Sequence, residues 1–330
     1  MTTPEILLLG REEIAQLLSI DECIAAVEQA FKLHGQWKAS PPGILGMRAR
    51  HGGFHIKAGF LEHGKSYFAA KMNANFSQNR QRFGLPTIQG VIILCDAENG
   101  CPLAIMDSIE ITIQRTGAAT AVAAKYFART DSTVITICGC GNQGRIQLRS
   151  LLRVRPLQHA FVYDVDLRRS EALAQEFSGE LSVEPISQDS LAASLKKSDI
   201  CVTCTPSRQY FLQRDAIRPG TFVAAVGADS EEKQELDPTL FISNKIVVDV
   251  LEQCATIGDL HHALRQGLIQ KAEVYAELGE VVAGVKPGRI SNDEIVIFDS
   301  TGVALQDAAA AVLVYEKAIA AGVGHRTSLS

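Results

Sequence analysis

The chain has 330 residues, enough for two domains or one large α/β unit. It is 46% hydrophobic and 21% charged, which supplies a globular core and excludes a disordered or low-complexity chain. Its 32 Lys and Arg against 37 Asp and Glu give a net charge of −5, without the basic excess that a phosphate backbone demands, so no nucleic-acid partner is expected.

The start, MTTPEILLLGREE, has no basic segment ahead of its short apolar run. No stretch reaches the roughly 18 apolar residues of a membrane span. Neither secretion nor a membrane is expected, and the cytoplasm is the expected location. Helices are predicted over 11–19 and 20–37, followed by Pro41, Pro42 and several short strand-like runs through Leu94, a mixed α+β region. The segment 118–128, AATAVAAKYFA, is an Ala-rich helix former that Arg115 opens and that delivers the chain into the next strand.

From 133 to about 250, apolar runs alternate with amphipathic segments of about a dozen residues, the rhythm of βαβ units. The runs are VITIC (134–138), AFVYDV (160–165), LSVEP (181–185), DICVTC (199–204), TFVAAVG (221–227) and KIVVDV (245–250). Their Val and Ile content suits strands of a parallel sheet buried on both faces. Helices are predicted over 143–154, 168–177 and 189–197, the last after a Ser187/Asp189 capping signal. A late strand (294–300) and helix (304–321) return to the first region. The predicted fold is α/β, with a Rossmann dinucleotide-binding domain (118–302) inserted in a mixed α+β domain (1–117 plus 303–330).

Eight cysteines are scattered along the chain, which points to free thiols in a reducing compartment. Cys201 and Cys204 fall three apart on a strand and face opposite ways, so they do not close on one metal. Cys138 and Cys140 flank Gly139, where small side chains suit a tight turn. His261 and His262 lie about 100° apart on a helix and read as capping or packing residues. No metal site is expected.

The strongest local signal is GCGNQG, with Gly139, Gly141 and Gly144 following a strand and opening a helix. Gly139 permits the turn, Gly141 lets the backbone approach a pyrophosphate, and Gly144 allows close helix packing, while the helix N-terminus offers N–H groups to the anion. Asp164, at the end of the second strand, suits ribose hydroxyls and favours NAD over NADP. The neighbouring Arg168 and Arg169 leave NADP open.

Outside that loop, the string GLPTIQGVIILCDAENGCPLAIMDSIEITIQRTGAATAVAAKYFAR, then VGADSEEKQELD and FDSTGVALQD, resembles the ornithine cyclodeaminase and μ-crystallin family over about residues 5–320. The resemblance implies hydride exchange at an amino acid Cα with a nicotinamide cofactor, NAD here, and a mixed domain that binds substrate and pairs in a homodimer. By the same resemblance Lys71 and Arg115 hold the substrate carboxylate, with Lys71 also catalytic and Arg115 also near the cofactor. Asp229, just past a strand end, exchanges protons with the amine. Thr87, Asn142, Gln143, Thr205, Val226, Lys233 and Ser300 match cofactor-contacting positions, and Thr301 falls where substrate meets the nicotinamide; Thr205 or Ser300 could equally be strand-end hydrogen-bonding residues.

One departure stands out. Gly43 occupies the place of the family's second carboxylate-anchoring arginine, so Arg48, Arg50 or Lys57 substitutes, or the substrate differs in charge and size. Where ornithine cyclodeaminases carry an acid for the distal amine, this chain has Ile56 or Lys57, which argues against ornithine. Lys57 in the pocket would suit an acidic substrate side chain. An amino acid dehydrogenase or imine reductase is the first reading; a cyclodeaminase that recycles NAD and a noncatalytic ligand binder are the alternatives.

Overall fold

The computed structural model describes residues 5–36 and 43–328, so Trp37, Pro41 and Pro42 lie outside the described residues. The chain divides into two compact units, Met1–Arg115 with Val303–Ser330, and Thr116–Gly302. In chain order the first part of unit 1 comprises β1 (Ile6–Leu9), α1 (Arg11–Leu17), α2 (Ile20–Gly35), β2 (Gly43–Ala49), β3 (Gly52–His63), β4 (Lys65–Asn75), α3 (Asn79–Phe83), β5 (Ile88–Asp96) and β6 (Pro102–Asp107). Helix α4 (Ser108–Phe127) carries the chain into unit 2. There follow β7 (Val134–Cys138), α5 (Asn142–Leu151), β8 (His159–Tyr163), α6 (Leu167–Phe177), β9 (Ser182–Pro185), α7 (Gln188–Leu195), β10 (Ile200–Thr203), β11 (Phe222–Ala225) and β12 (Lys245–Val248). Then come α8 (Leu251–Ile257), α9 (Asp259–Arg265), β13 (Ala276–Glu277), α10 (Leu278–Val282) and β14 (Val296–Asp299), and α11 (Ala304–Ala321) and β15 (His325–Thr327) return to unit 1.

Unit 1 is built on a seven-stranded sheet in the order β15-β1-β6-β5-β4-β3-β2, antiparallel except for the β1–β6 pair. Side chains alternate across it: Tyr67, Ala69 and Lys71 of β4 are buried while their neighbours are not. Helix α11 packs on strands β3, β4 and β5 and on helix α2. Its run of alanines is nearly all buried, because small side chains let the helix lie close to the sheet.

Unit 2 is an eight-stranded, wholly parallel sheet in the order β13-β12-β14-β11-β10-β7-β8-β9. The order reverses between β7 and β10, so the loop after β7 opens at the switch point where such sheets bind ligands. Strands β10, β11 and β14 are buried at every residue, as their unbroken apolar runs require.

Strand β7 coincides with its apolar run, the other strands of unit 2 stop one or two residues short of theirs at one end or both, and the helix expected over 143–154 ends at Leu151. The larger correction is α4, which begins ten residues ahead of the alanines, at Ser108. Ile109, Ile111 and Ile113 ahead of them are β-branched, which weakens the helix signal there. The missed start signal was Asp107, whose carboxylate accepts from the Ile109 N–H at 2.9 Å. Arg115 therefore sits two turns inside the helix rather than opening it. Among the described residues no helix is long and apolar enough to cross a membrane.

Candidate active site

In unit 1, Lys71 occupies a core-facing position of β4, Arg115 projects from α4, and both meet Asp307 of α11. Asp307 Oδ1 accepts from Lys71 Nζ at 2.8 Å and from Arg115 Nε at 2.9 Å. Arg115 Nη1 donates to Gln306 Oε1 at 2.6 Å, and Thr112 Oγ1 lies 3.4 Å from Lys71 Nζ. Lys71 is 3% exposed, Arg115 5% and Asp307 1%. Burial, and after it the Arg115 charge, push the Lys71 ammonium down to about 7, against the opposing pull of Asp307. Asp307 moves below its usual range, because the Arg115 and Lys71 charges outweigh the cost of burying it. Asp307 Oδ2 and Gln306 Nε2 are buried with no hydrogen-bond partner.

Lys57 pairs directly opposite Lys71 in the β3–β4 register and is also buried. Arg48 instead lies on β2, exposed, opposite Gly53. Thr87 is exposed, and its carbonyl accepts from the Phe76 N–H at 2.8 Å.

In unit 2, the glycine loop has the form its sequence suggests. Gly139 takes φ +103°, a conformation few other residues adopt, and a Cβ on it would stand 2.9 Å from the Cys204 carbonyl oxygen. A Cβ on Gly144 would sit 2.0 Å from the Gly139 carbonyl oxygen, so α5 can rest on the loop only without one. Gly141, the N-cap of α5, is different: a Cβ there meets nothing within 4 Å, leaving open space above the helix N-terminus. Asn142 is exposed in the first turn, and the buried Gln143 Oε1 has no hydrogen-bond partner. Asp164 braces the loop, accepting from the Cys140 N–H at 2.9 Å and the Asp166 N–H at 3.0 Å. Arg168 turns to Asp166 at 3.0 Å and is largely exposed. Cys204 donates its thiol to the Cys138 and Gly139 carbonyls, and Cys140 its own to Tyr163, so these cysteines serve the turn.

The loops beyond β10, β11 and β14 are tied by buried carboxylates that the sequence did not single out. Glu235 accepts from the Thr205 N–H at 2.6 Å and the Gly227 N–H at 3.0 Å. Asp259 accepts from the N–H groups of Glu235 and Leu236, and Asp299 from those of Asp259 and Leu260. Burial drives all three upward, Glu235 to about 7 and Asp259 to about 6. Asp249 accepts from Ser300 Oγ at 2.9 Å, Thr301 Oγ1 at 3.3 Å and the Gly302 N–H at 2.7 Å. The Ser300 and Thr301 hydroxyls thus hydrogen-bond at the strand end, and Gln253 takes up Thr301 as well. Val226 is partly buried beside this loop system. Asp229 is exposed just past β11, 2.6 Å from Lys233 Nζ, which also reaches the Gly227 carbonyl. His262 Nε2 lies 2.8 Å from the Lys233 carbonyl, a packing role.

Asp307, Gln306, Glu235, Asp249, Asp259 and Asp299 were missed. Only Asp307 carried a signal, a lone carboxylate in an Ala-rich run; Gln306 meets the Arg115 side chain and the other carboxylates accept from backbone N–H groups that the fold brings to them.

An alanine dehydrogenase of Archaeoglobus fulgidus is 39% identical over 325 residues, 98% of each chain. A solved archaeal alanine dehydrogenase dimer with bound NAD superposes with a TM-score of 0.94 at 38% identity, covering 99% of this chain and all of that one. The Δ1-pyrroline-2-carboxylate reductase of Thermococcus litoralis, in complex with NADH and L-proline, gives 0.91 at 35% identity over 98% and 100%. The family model for ornithine cyclodeaminase/mu-crystallin proteins matches residues 5–322, and the chain belongs to that family.

Proposed function

We propose that this protein is an NAD-dependent oxidoreductase that exchanges a hydride with the Cα of a small amino or imino acid. The observation that carries this reading is the buried Lys71–Asp307–Arg115 cluster, where two cations share one carboxylate oxygen. Buried cations in excess of their counter-charge call for an anion, and a substrate α-carboxylate supplies it. The glycine loop fits NAD: open space above Gly141, the first-turn N–H groups of α5 for the pyrophosphate, and Asp164 for the ribose hydroxyls. The NAD-bound and NADH-bound relatives support the same cofactor.

When bound, NAD accepts a hydride from an amino acid Cα, and NADH returns one to an imine carbon. Lys71 and Arg115 hold the carboxylate, which fixes the Cα and removes much of the entropic cost of the reaction. Asp229 takes a proton from the substrate ammonium, freeing the nitrogen lone pair to form the C=N bond as the hydride leaves; in reduction it returns that proton. Lys233 orients the Asp229 carboxylate. In the oxidative direction the amino acid, NAD and water give an oxo acid, ammonium, NADH and a proton. The archaeal dimer and the exposed Ile44, Leu45 and Met47 of β2 support a homodimer, and eight free cysteines support a cytoplasmic setting.

The test is an assay with NAD and a panel of amino acids, recording NADH and ammonia together. Matched NADH and ammonia are expected. Ammonia without NADH would establish a lyase that returns its hydride, and intact NADH binding with no turnover a ligand-binding protein. Asp229→Asn is expected to lower kcat about 100-fold or more while NADH still binds.

A further inference from the structure

We infer that Glu235 is a positioning residue for the cofactor: by tying the loops after β10 and β11 to each other, it shapes the half of the site that takes the nicotinamide and leaves the adenosine half untouched. The inference rests on the cofactor reading above and deepens it.

Glu235 is fully buried, and its two oxygens serve two loops: Oε1 accepts from the Thr205 N–H, just past β10, and Oε2 from the Gly227 N–H, just past β11. A carboxylate offers an acceptor to each of two N–H groups, whereas a side-chain amide presents one acceptor and one donor. The fit leaves no slack, since a Cβ on Gly227 would stand 2.4 Å from Glu235 Oε2 and 2.5 Å from the Thr205 carbonyl oxygen. Glu235 is itself held. Its N–H donates to Asp259 Oδ1 at 2.8 Å, and its carbonyl accepts from the Phe211 and Leu212 N–H groups at 3.1 Å. The Asp259 N–H in turn reaches Asp299 Oδ1, at the end of β14, at 3.3 Å. Three buried carboxylates thus join the ends of β10, β11 and β14, which are neighbours in the sheet.

Sheets of this kind bind a dinucleotide across the switch point, one mononucleotide to each half. The glycine loop and Asp164 stand at the ends of β7 and β8 and mark the adenosine half, so β10, β11 and β14 make up the other. Cys204 marks the boundary between them. Its N–H and its thiol bond the Cys138 carbonyl, and the thiol also reaches the Gly139 carbonyl, so the glycine loop is held by bonds in which Glu235 takes no part. What Glu235 governs begins at Thr205. Glu235→Gln keeps the size of the side chain but sets an amide N–H against a backbone N–H, so one of the two loops is released.

The experiment measures binding of NADH and of ADP-ribose, which lacks the nicotinamide, to the wild type and Glu235→Gln at pH 8, above the value of about 7 to which burial raises Glu235. In the variant the NADH dissociation constant should rise about 10-fold, while that of ADP-ribose stays within about 2-fold of the wild type. The emission of bound NADH, which reports the surroundings of its nicotinamide, should move towards that of free NADH. A tie that only stabilises the fold would weaken both ligands together. A loss of ADP-ribose binding as large as that of NADH, or no loss of NADH binding, overturns the inference while leaving the cofactor reading intact; a wild type that binds neither overturns both. Should Glu235→Gln fail to fold, amide exchange in the wild type decides. Without cofactor, the Thr205 and Gly227 N–H groups should exchange at least about 100-fold more slowly than in an unfolded peptide, and NADH should slow them further where ADP-ribose does not. Rapid exchange, or equal slowing by ADP-ribose, overturns the proposal.

Discussion

Lys71 stands where the alternation of β4 reserves a place for an apolar side chain, and its chemistry follows from that position. With its ammonium held at about 7, the positive charge that the proposed carboxylate contact needs is present below that pH and lost as pH rises through it. KM for the carboxylate substrate, at saturating cofactor, should therefore rise about 10-fold per pH step above 7 until the bound complex itself loses the proton, and stay flat below. A KM independent of pH from 6 to 9 would show that Lys71 does not bind the substrate. Lys71 and Arg115 were singled out through the family resemblance, Lys71 also because it follows the apolar run YFAA. Asp307 was not, since its meaning arises only when α11 lands on the sheet and places it between two cations from distant strands and helices.

At the level of the element, the β7–loop–α5 turn was read almost residue by residue, because each glycine has a separate steric reason. Gly144→Ala tests the tightest of them. Its Cβ would sit 2.0 Å from the Gly139 carbonyl oxygen, so α5 must move off the loop. The expected cost is about 1–3 kcal/mol in stability with NADH affinity lowered at least 10-fold, read by denaturant unfolding and fluorescence titration. Unchanged NADH affinity would separate the loop from the cofactor. Helix α4 was the least legible element, since β-branching masked its first two turns and the decisive cue was a single capping carboxylate.

Across the whole chain, the parallel sheet and the two-part composition of unit 1 followed from the rhythm of apolar runs, but the buried carboxylates of unit 2 did not. Each accepts backbone N–H groups that only the folded loops bring together. Glu235 and Asp259 are raised by burial, so folding takes up protons near neutrality. Their stabilising contribution is fullest below about pH 4.5 and is lost as pH climbs through about 6 to 7. Glu235→Gln removes one of these protonations, and the difference in unfolding free energy between wild type and variant should shrink from pH 5 to pH 8. A difference that is constant or grows would show that Glu235 ionises as an ordinary carboxylate.

Unit 1 contains β1 and is completed by α11 and β15, which the ribosome delivers only after unit 2. Until then Lys71 lacks its Asp307 partner, and β1 lacks its neighbour on one edge. Unit 2 is a continuous stretch and can fold as it emerges, while unit 1 has to wait. During synthesis the glycine loop is thus formed before Asp307 reaches Lys71 and Arg115, and a ribosome stalled before α11 would hold a chain with the loop complete but the Lys71–Asp307–Arg115 cluster unmade.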